Sequence, residues 1–307
     1  MTFEFCLLYL QSTVYSLKQL FGGSMEISII SWLQNNFFQY LIYILSYAGH
    51  LFVLLGVAAV IYITINKSLG EKLLIFYFTS MFFNALLKDW IGRPRPYHKG
   101  AHTIIEHAEQ FSMPSGHAQG FASFLVPFTQ TAKNKRKAYI VASILLLFIC
   151  FTRLYLGQHY LTDVLVGAAI GVIIAIGLEL IYRFAGKYTD FILLGIIPVV
   201  IVMLSIFHFR DAYVSGGILC GALIGIFFEK RFVKYEINGS AINRILKMLF
   251  ALLIISTSIL PAVLLRSILS ENLFLVILFA LMGFALTFLC PLLIKIAFRK
   301  KQQKVTE

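Results

Sequence analysis

Three short stretches of this chain hold residue types that could do chemistry. They are Lys88 with Arg95-Pro96 seven residues on, then Pro114-Ser115-Gly116-His117, then Arg153, His159 and Asp163. Cations, imidazoles, a hydroxyl and a carboxylate in this order suit phosphoryl transfer. That reaction needs its oxygen charges neutralised and its nucleophile and leaving group held in line, so positioning and electrostatics supply most of the catalysis. Lys88 ends an apolar run as Asn84-Ala85-Leu86-Leu87-Lys88, and Arg95 follows the helix breakers Gly92 and Pro94, so both cations can converge at the mouth of a helix bundle. Arginine offers a planar fork to phosphate oxygens and lysine a point charge. Alone, this first stretch would read as a basic flank anchoring a helix at lipid headgroups. Its company reverses that reading.

Pro114-Ser115-Gly116-His117 precedes a long apolar run, which makes Ser115 a natural N-cap. The amides of Ser115, Gly116 and His117 then open at the positive end of a helix dipole, a ready anion site. Gly116 permits close backbone approach to phosphate oxygens, and the His117 imidazole stands where it could give a proton to a departing group. In the third stretch, His159 and Asp163 are four residues apart, which predicts one shared face of a helix starting near residue 159. A carboxylate holding one ring nitrogen leaves the other free to attack. Arg153, separated from His159 by Tyr155, Gly157 and Gln158, returns a third cation to the pocket. Ionisable residues clustered at a membrane boundary are functional by default.

The elements that must position these residues are membrane helices. Of 307 residues 59% are hydrophobic and 13% charged, and the mean hydropathy is +0.85, far from the balance of a water-soluble domain. Apolar runs long enough to cross a bilayer recur along the chain. They predict an all-α, polytopic transmembrane bundle of about nine spans, near residues 49–66, 72–91, 115–131, 138–154, 160–183, 190–208, 213–228, 248–266 and 273–296. Every motif residue precedes residue 188, so the expected organisation is an N-terminal segment (1–36), a catalytic core (37–187) and a C-terminal region (188–307) of four appended spans.

The net charge of +12 does not indicate nucleic acid, because the cations sit in the joints between apolar runs. Eighteen of the 26 Lys and Arg fall on one side of the predicted topology, from Lys67 and Lys72 to Lys301 and Lys304. By the positive-inside rule that side is cytoplasmic, and all three motifs face the other. Cys6, Cys150, Cys220 and Cys290 are scattered singly in apolar stretches and read as small buried hydrophobes.

Other candidates have plainer readings. Residues 27–48 suggest a helix lying in the interface, with an extra span as the alternative. Gly22-Gly23-Ser24-Met25 resembles a translated ribosome-binding site, which raises Met25 as a natural start. The loop holding His98, Lys99, His102, Glu106, His107 and Glu109 reads as a solvated rim in preference to a metal site. His208, Arg210 and Asp211, at a joint on the motif side, could reach a headgroup. Glu179 is expected to snorkel toward Arg183, one turn on.

Taken together, the motif residues resemble the type-2 phosphatidic acid phosphatase superfamily, which includes lipid phosphate phosphatases, glucose-6-phosphatase and vanadium haloperoxidases. Its pattern K-x6-RP, PSGH and SR-x5-H-x3-D matches here residue by residue, except that Thr152 stands where Ser is usual. The resemblance covers roughly residues 37–187. It implies a phosphatase with no metal or other cofactor, acting through a phosphohistidine. His159 would attack, Asp163 orient it, and His117 protonate the leaving group and then activate water. Lys88, Arg95, Ser115, Gly116 and Arg153 would bind the phosphate. That His159 and not His117 is the nucleophile is itself an implication of the resemblance. The resulting expectation is an integral phosphatase of the bacterial inner membrane, acting at the non-cytoplasmic face on a lipid phosphate or pyrophosphate partner, with undecaprenyl pyrophosphate foremost. Phosphatidic acid or phosphatidylglycerophosphate hydrolysis, phosphate transfer to an acceptor, and non-catalytic lipid transport are the alternatives.

Overall fold

The computed structural model describes residues 27, 30, 39–104 and 111–298, and among them every regular element is helical. The helices are α1 Gln39–Ser46, α2 Leu51–Ile65, α3 Lys67–Ile91, α4 Gly116–Thr131, α5 Lys135–Tyr155 and α6 Leu161–Phe184. The C-terminal helices are α7 Gly186–Ile206, α8 Arg210–Val233, α9 Ala241–Leu264 and α10 Glu271–Ala297. Polar side chains cap several starts: Asn66 accepts from the Leu69 amide at α3 and Asn134 from Lys137 at α5. Gly92, at φ 59°, ends α3 in the left-handed conformation that glycine adopts without a Cβ clash.

Each expected span coincides with one of the helices α2 to α10, but six of them, α5 to α10, are long and apolar enough to cross a membrane. A seventh is obtained if Leu41–Gly49 and Leu51–Ile65, bent by 54°, form one broken span. α3 and α4 fall below that length and apolarity for physical reasons. α3 carries Lys67, Glu71, Lys72, Lys88 and Asp89, and α4, with 16 residues, is about 24 Å long against a hydrocarbon core of about 30 Å. The chain is an integral membrane protein whose inner helices are its more polar ones.

α3 packs against α2, α4, α6 and α8, and α4 packs chiefly on α6. α8 runs between α3 and α10, with 67% of its apolar window buried. The close α4–α6 approach depends on Gly167, where a Cβ would lie 2.7 Å from the Ser115 carbonyl oxygen. Gly167→Val should push α6 off the start of α4. It is expected to cost about 1–3 kcal/mol, visible as a lower melting temperature of the purified protein.

Ion pairs tie the helices together at the end of α3 away from Lys88. Lys230 of α8 meets Glu71 at 2.7 Å and Asp190 of α7 at 2.9 Å, and Tyr182 donates to Glu71 at 2.8 Å. Glu179 does not pair with Arg183 as expected. Lys72 reaches both of its oxygens from the neighbouring helix, at 2.8 and 2.9 Å, while Arg183 lies over the Phe184 ring. Cys150, Cys220 and Cys290 are free thiols, two of them buried. Cys6, Met25 and residues 28, 29 and 31–38 of the interfacial helix expected over 27–48 lie outside the described residues, as do Glu106, His107 and Glu109.

Candidate active site

The C-terminal end of α3, the start of α4, the end of α5 and the start of α6 meet at one end of the bundle, and backbone hydrogen bonds lock their loops together. Ser112 donates its amide to the Arg93 carbonyl at 2.8 Å, Ser115 to that of Asp163 at 3.0 Å, and Ile104 to that of Leu156 at 3.3 Å. Residues far apart in sequence are thereby brought to one cavity of about 370 Å³ lined by Lys88, Arg95, Gly116, His117, Arg153 and His159. The other two expected residues, Ser115 and Asp163, stand just behind its wall, fully buried.

Asp163 anchors the catalytic candidates through both oxygens. Oδ1 accepts from Arg93 Nη1 at 2.7 Å. Oδ2 accepts from the Tyr160 amide at 2.9 Å and from the Ser112 hydroxyl, and lies 3.6 Å from His159 Nδ1. The helix expected to start near residue 159 does not include His159. It begins at Leu161, and Asp163 folds back at the third helical position to bond the amide of the N-cap Tyr160, which leaves His159 in the preceding turn. The two side chains meet through this cap and not through a shared helical face. His159 Nε2 lies 3.4 Å from Arg95 Nη1. Burial pushes the His159 imidazole down to about 3, against the opposing hydrogen bond to Asp163. A neutral ring with an available lone pair is therefore present at ordinary pH.

Ser115 occupies the N-cap of α4, yet its hydroxyl makes no capping bond and has no partner. A Cβ at Gly116 would meet Asn84 Oδ1 at 3.2 Å, so the turn is packed tightly from behind. Asn84, a polar residue within an apolar run, is satisfied there: it donates to the Pro114 carbonyl at 3.1 Å and to Gln119 Oε1 at 2.8 Å. The His117 ring stands at the cavity wall, 6.3 Å from that of His50.

Arg153 is 4% exposed, and its Nη2 has no hydrogen-bond partner. A buried, incompletely paired guanidinium is costly unless an anion completes it. Thr152 supplies the hydroxyl expected of Ser at this position, accepting from Arg153 Nε at 3.4 Å and donating to the Ile149 carbonyl at 2.7 Å. Arg95 bonds the Gln158 carbonyl at 3.1 Å, and its burial, partly offset by Asp163 and Asp211, lowers its affinity for its proton.

Sequence reasoning gave no role to Arg93, Ser112 or Gln158. The doubled Arg-Pro in Gly92-Arg93-Pro94-Arg95-Pro96 is the one local signal for Arg93, whose guanidinium also stacks 3.9 Å over the Tyr160 ring. Of the three residues expected at the later joint, Asp211 lines the cavity with Val214 and Ser215 of α8, whereas His208 and Arg210 do not. His98, Lys99 and His102 do not line it either.

Residues 71–190 match the PAP2 superfamily, and residues 213–301 match the PAP2 superfamily phosphatase transmembrane extension. Phosphatidylglycerophosphatase B of Bacillus subtilis is 35% identical over 115 residues, which are 34% of this chain and 54% of that protein. Lipid A 1-phosphatase of Rhizobium etli is 33% identical over 106 residues, 31% of this chain and 44% of that one. Lipid A 4'-phosphatase of Porphyromonas gingivalis is 24% identical over 124 residues, 38% and 51% of the two chains. The chain thus spans about half the length of the curated relatives it matches. A crystal structure of a transmembrane PAP2-type phosphatidylglycerolphosphate phosphatase from Bacillus subtilis superimposes with a TM-score of 0.43 at 24% identity, over 59% of this chain and 96% of that one.

Proposed function

Because this chain belongs to the PAP2 superfamily and carries its transmembrane extension, we propose that it hydrolyses a lipid phosphate through a phosphohistidine. The observation that carries the reading is the unpartnered Nη2 of buried Arg153, at a cavity shared with two other cations and the imidazoles of His50, His117 and His159. A tetrahedral phosphate satisfies that set.

In this mechanism Lys88, Arg95, Arg153, the Ser115 hydroxyl and the Gly116 amide hold the phosphate oxygens. The Nε2 lone pair of His159, backed at Nδ1 by Asp163, attacks phosphorus in line. Burial and the Arg153 charge disfavour the His117 cation in the free protein, so His117 takes its proton from the incoming phosphate monoester and gives it to the lipid oxygen as that bond breaks. His117 then takes a proton from water, whose oxygen attacks the phosphohistidine. The P–N bond breaks, releasing phosphate and neutral His159.

The catalytic unit is proposed as residues 37–187, with 188–307 an appended helical region whose Asp211 reaches the cavity. Location in a bacterial inner membrane with the cavity at the non-cytoplasmic face is supported by the cations gathered at the opposite ends of the helices. Among the expected substrates, a glycerophospholipid phosphomonoester such as phosphatidylglycerophosphate is favoured by the name of the 35%-identical relative.

The test is phosphate release by the purified protein in EDTA, without acceptor, from phosphatidylglycerophosphate, phosphatidic acid and undecaprenyl pyrophosphate. No release from any of them, or abolition by EDTA, defeats the reading. In the same assay Arg153→Ala is expected to lower kcat/KM about 10²–10³-fold. Arg153→Lys should recover part of the loss, since lysine restores charge without the fork.

A further inference from the structure

At the far ends of α8, α9 and α10 a second cavity, of about 450 Å³, is lined by Lys234, Lys247 and Lys295 together with Tyr235, Asn238 and Phe298. Lys247 is 2% exposed. Its ammonium donates to the Asn238 carbonyl at 2.7 Å and to Asn238 Oδ1 at 2.9 Å, flanked by the Tyr235 and Phe298 rings at 5.6 and 5.8 Å. Among the described residues none of the three lysines lies within ion-pair distance of a carboxylate. Glu229, which accepts from the Tyr235 amide at 2.6 Å, is already paired with Lys67 at 2.7 Å. Glu236 is the one acidic residue on the cavity wall, so the site carries a net charge of about +2 at neutral pH.

Burying the Lys247 ammonium without a counter-charge is unfavourable, and the exposed Lys234 and Lys295 at the same cavity add like charge beside it. Lys234 adds an independent observation. Among the described residues it is the only non-glycine with a positive φ, 51°: it ends α8 as a left-handed cap whose amide donates to the Glu229 carbonyl at 2.8 Å, which fixes its backbone at the rim of the cavity. α8 runs from Asp211 at the catalytic cavity to Val233 beside this one, so the two are separated by about 33 Å at 1.5 Å per residue. They open at opposite faces of the membrane.

We propose that this second cavity binds a phosphate-bearing anion, the headgroup of an anionic lipid in the leaflet opposite the catalytic cavity. Basic pockets between membrane helices take such headgroups. The apolar side chains Ile245 and Leu249 of α9 and Ile296 of α10, all exposed on the same helix ends, give acyl chains a surface to follow, which free phosphate would not use.

The test is native mass spectrometry of the full-length protein released from detergent with phosphatidylglycerol or phosphatidylcholine added. Phosphatidylglycerol is a diester with no terminal phosphate to remove. The wild type should retain it in preference to phosphatidylcholine. Lys234→Gln, at an exposed side chain, should weaken retention about fivefold, the factor for one lysine beside an anionic headgroup. The Lys234→Gln/Lys247→Gln pair should weaken it further, while phosphatase activity stays within twofold and Lys137→Gln, on a distant exposed joint, changes nothing. If millimolar inorganic phosphate displaces the lipid, the ligand is free phosphate; if it does not, the ligand is the lipid. Equal retention by wild type and Lys234→Gln, or no preference over phosphatidylcholine, overturns the proposal.

Discussion

His159→Ala is expected to lower kcat by about 10⁴-fold or more, the scale seen when a covalent nucleophile is removed, with lipid still bound. The imidazole is the one group whose free nitrogen faces the cavity beside Arg95 while its other nitrogen faces a buried carboxylate. The surrounding cations persist in the variant, so ground-state binding of the lipid phosphate should change little. Two measurements check this: phosphate release under saturating substrate, and acid-free rapid quench followed by peptide mapping for a phosphoryl group on residue 159. His117→Ala provides the contrast. Since His117 serves both steps, that variant should form the phosphoryl group more slowly and also, once formed, hydrolyse it more slowly, with any label still on residue 159. A His159→Ala protein that keeps near-wild-type turnover, or a phosphoryl group found on residue 117, would reverse the assignment.

Asp163→Asn should damage both catalysis and stability. The carboxylate holds the Arg93 guanidinium at 2.7 Å, the Ser112 hydroxyl and the Tyr160 amide at 2.9 Å, all within a buried cluster. Neutralising it takes the Asp163 charge away from Arg93, 4% exposed, whose Nη1 also donates to the Thr162 hydroxyl at 2.6 Å. Breaking a buried pair in this way costs about 3–5 kcal/mol. The amide also presents an N–H toward His159 where a carboxylate had been, which favours the wrong tautomer and is worth about 10⁴ in kcat where the same geometry has been altered in a histidine-dependent hydrolase. The two effects separate in the double variant Arg93→Met/Asp163→Asn. Removing both charges should return much of the melting temperature and none of the turnover. Restoration of turnover would mean that Asp163 acts only through Arg93.

The motifs were legible because their meaning is local. Gly92 and Pro94 interrupt α3 where Lys88 must stop and Arg95 begin, and Ser115 precedes the apolar run it caps. The order of helices was legible too, since apolar runs between Asn, Gly and Pro breakers are set by the length of chain that crosses a bilayer. Local reasoning fails where a partner comes from a distant helix. Arg93 and Asp163 are 70 residues apart, and Lys72 and Glu179 are 107 apart. Pattern within one helix offers Arg183 to Glu179 and says nothing of Lys72. The number of spans is less legible for a related reason: an apolar run can be covered by other helices as well as by lipid, and much of α3 and α4 is covered in this way. Asp211 was noticed beside His208 and Arg210, but only the path of α8 along α3 distinguishes it from them.

The bend between Leu41–Gly49 and Leu51–Ile65 matters to the substrate as much as to the fold. Gly49, His50, Leu51 and Phe52, at that bend, form part of the same cavity wall as the phosphate-facing cations. The wall at this point is a hinge of two short apolar helices, not one continuous rod. Under the proposed function, a lipid phosphate entering beside this bend would pass Leu51 and Phe52 on its way to the cations, and its headgroup would lose water there before reaching the histidines. Reaction rate would then track the packing of the surrounding lipid as well as the concentration of substrate in it.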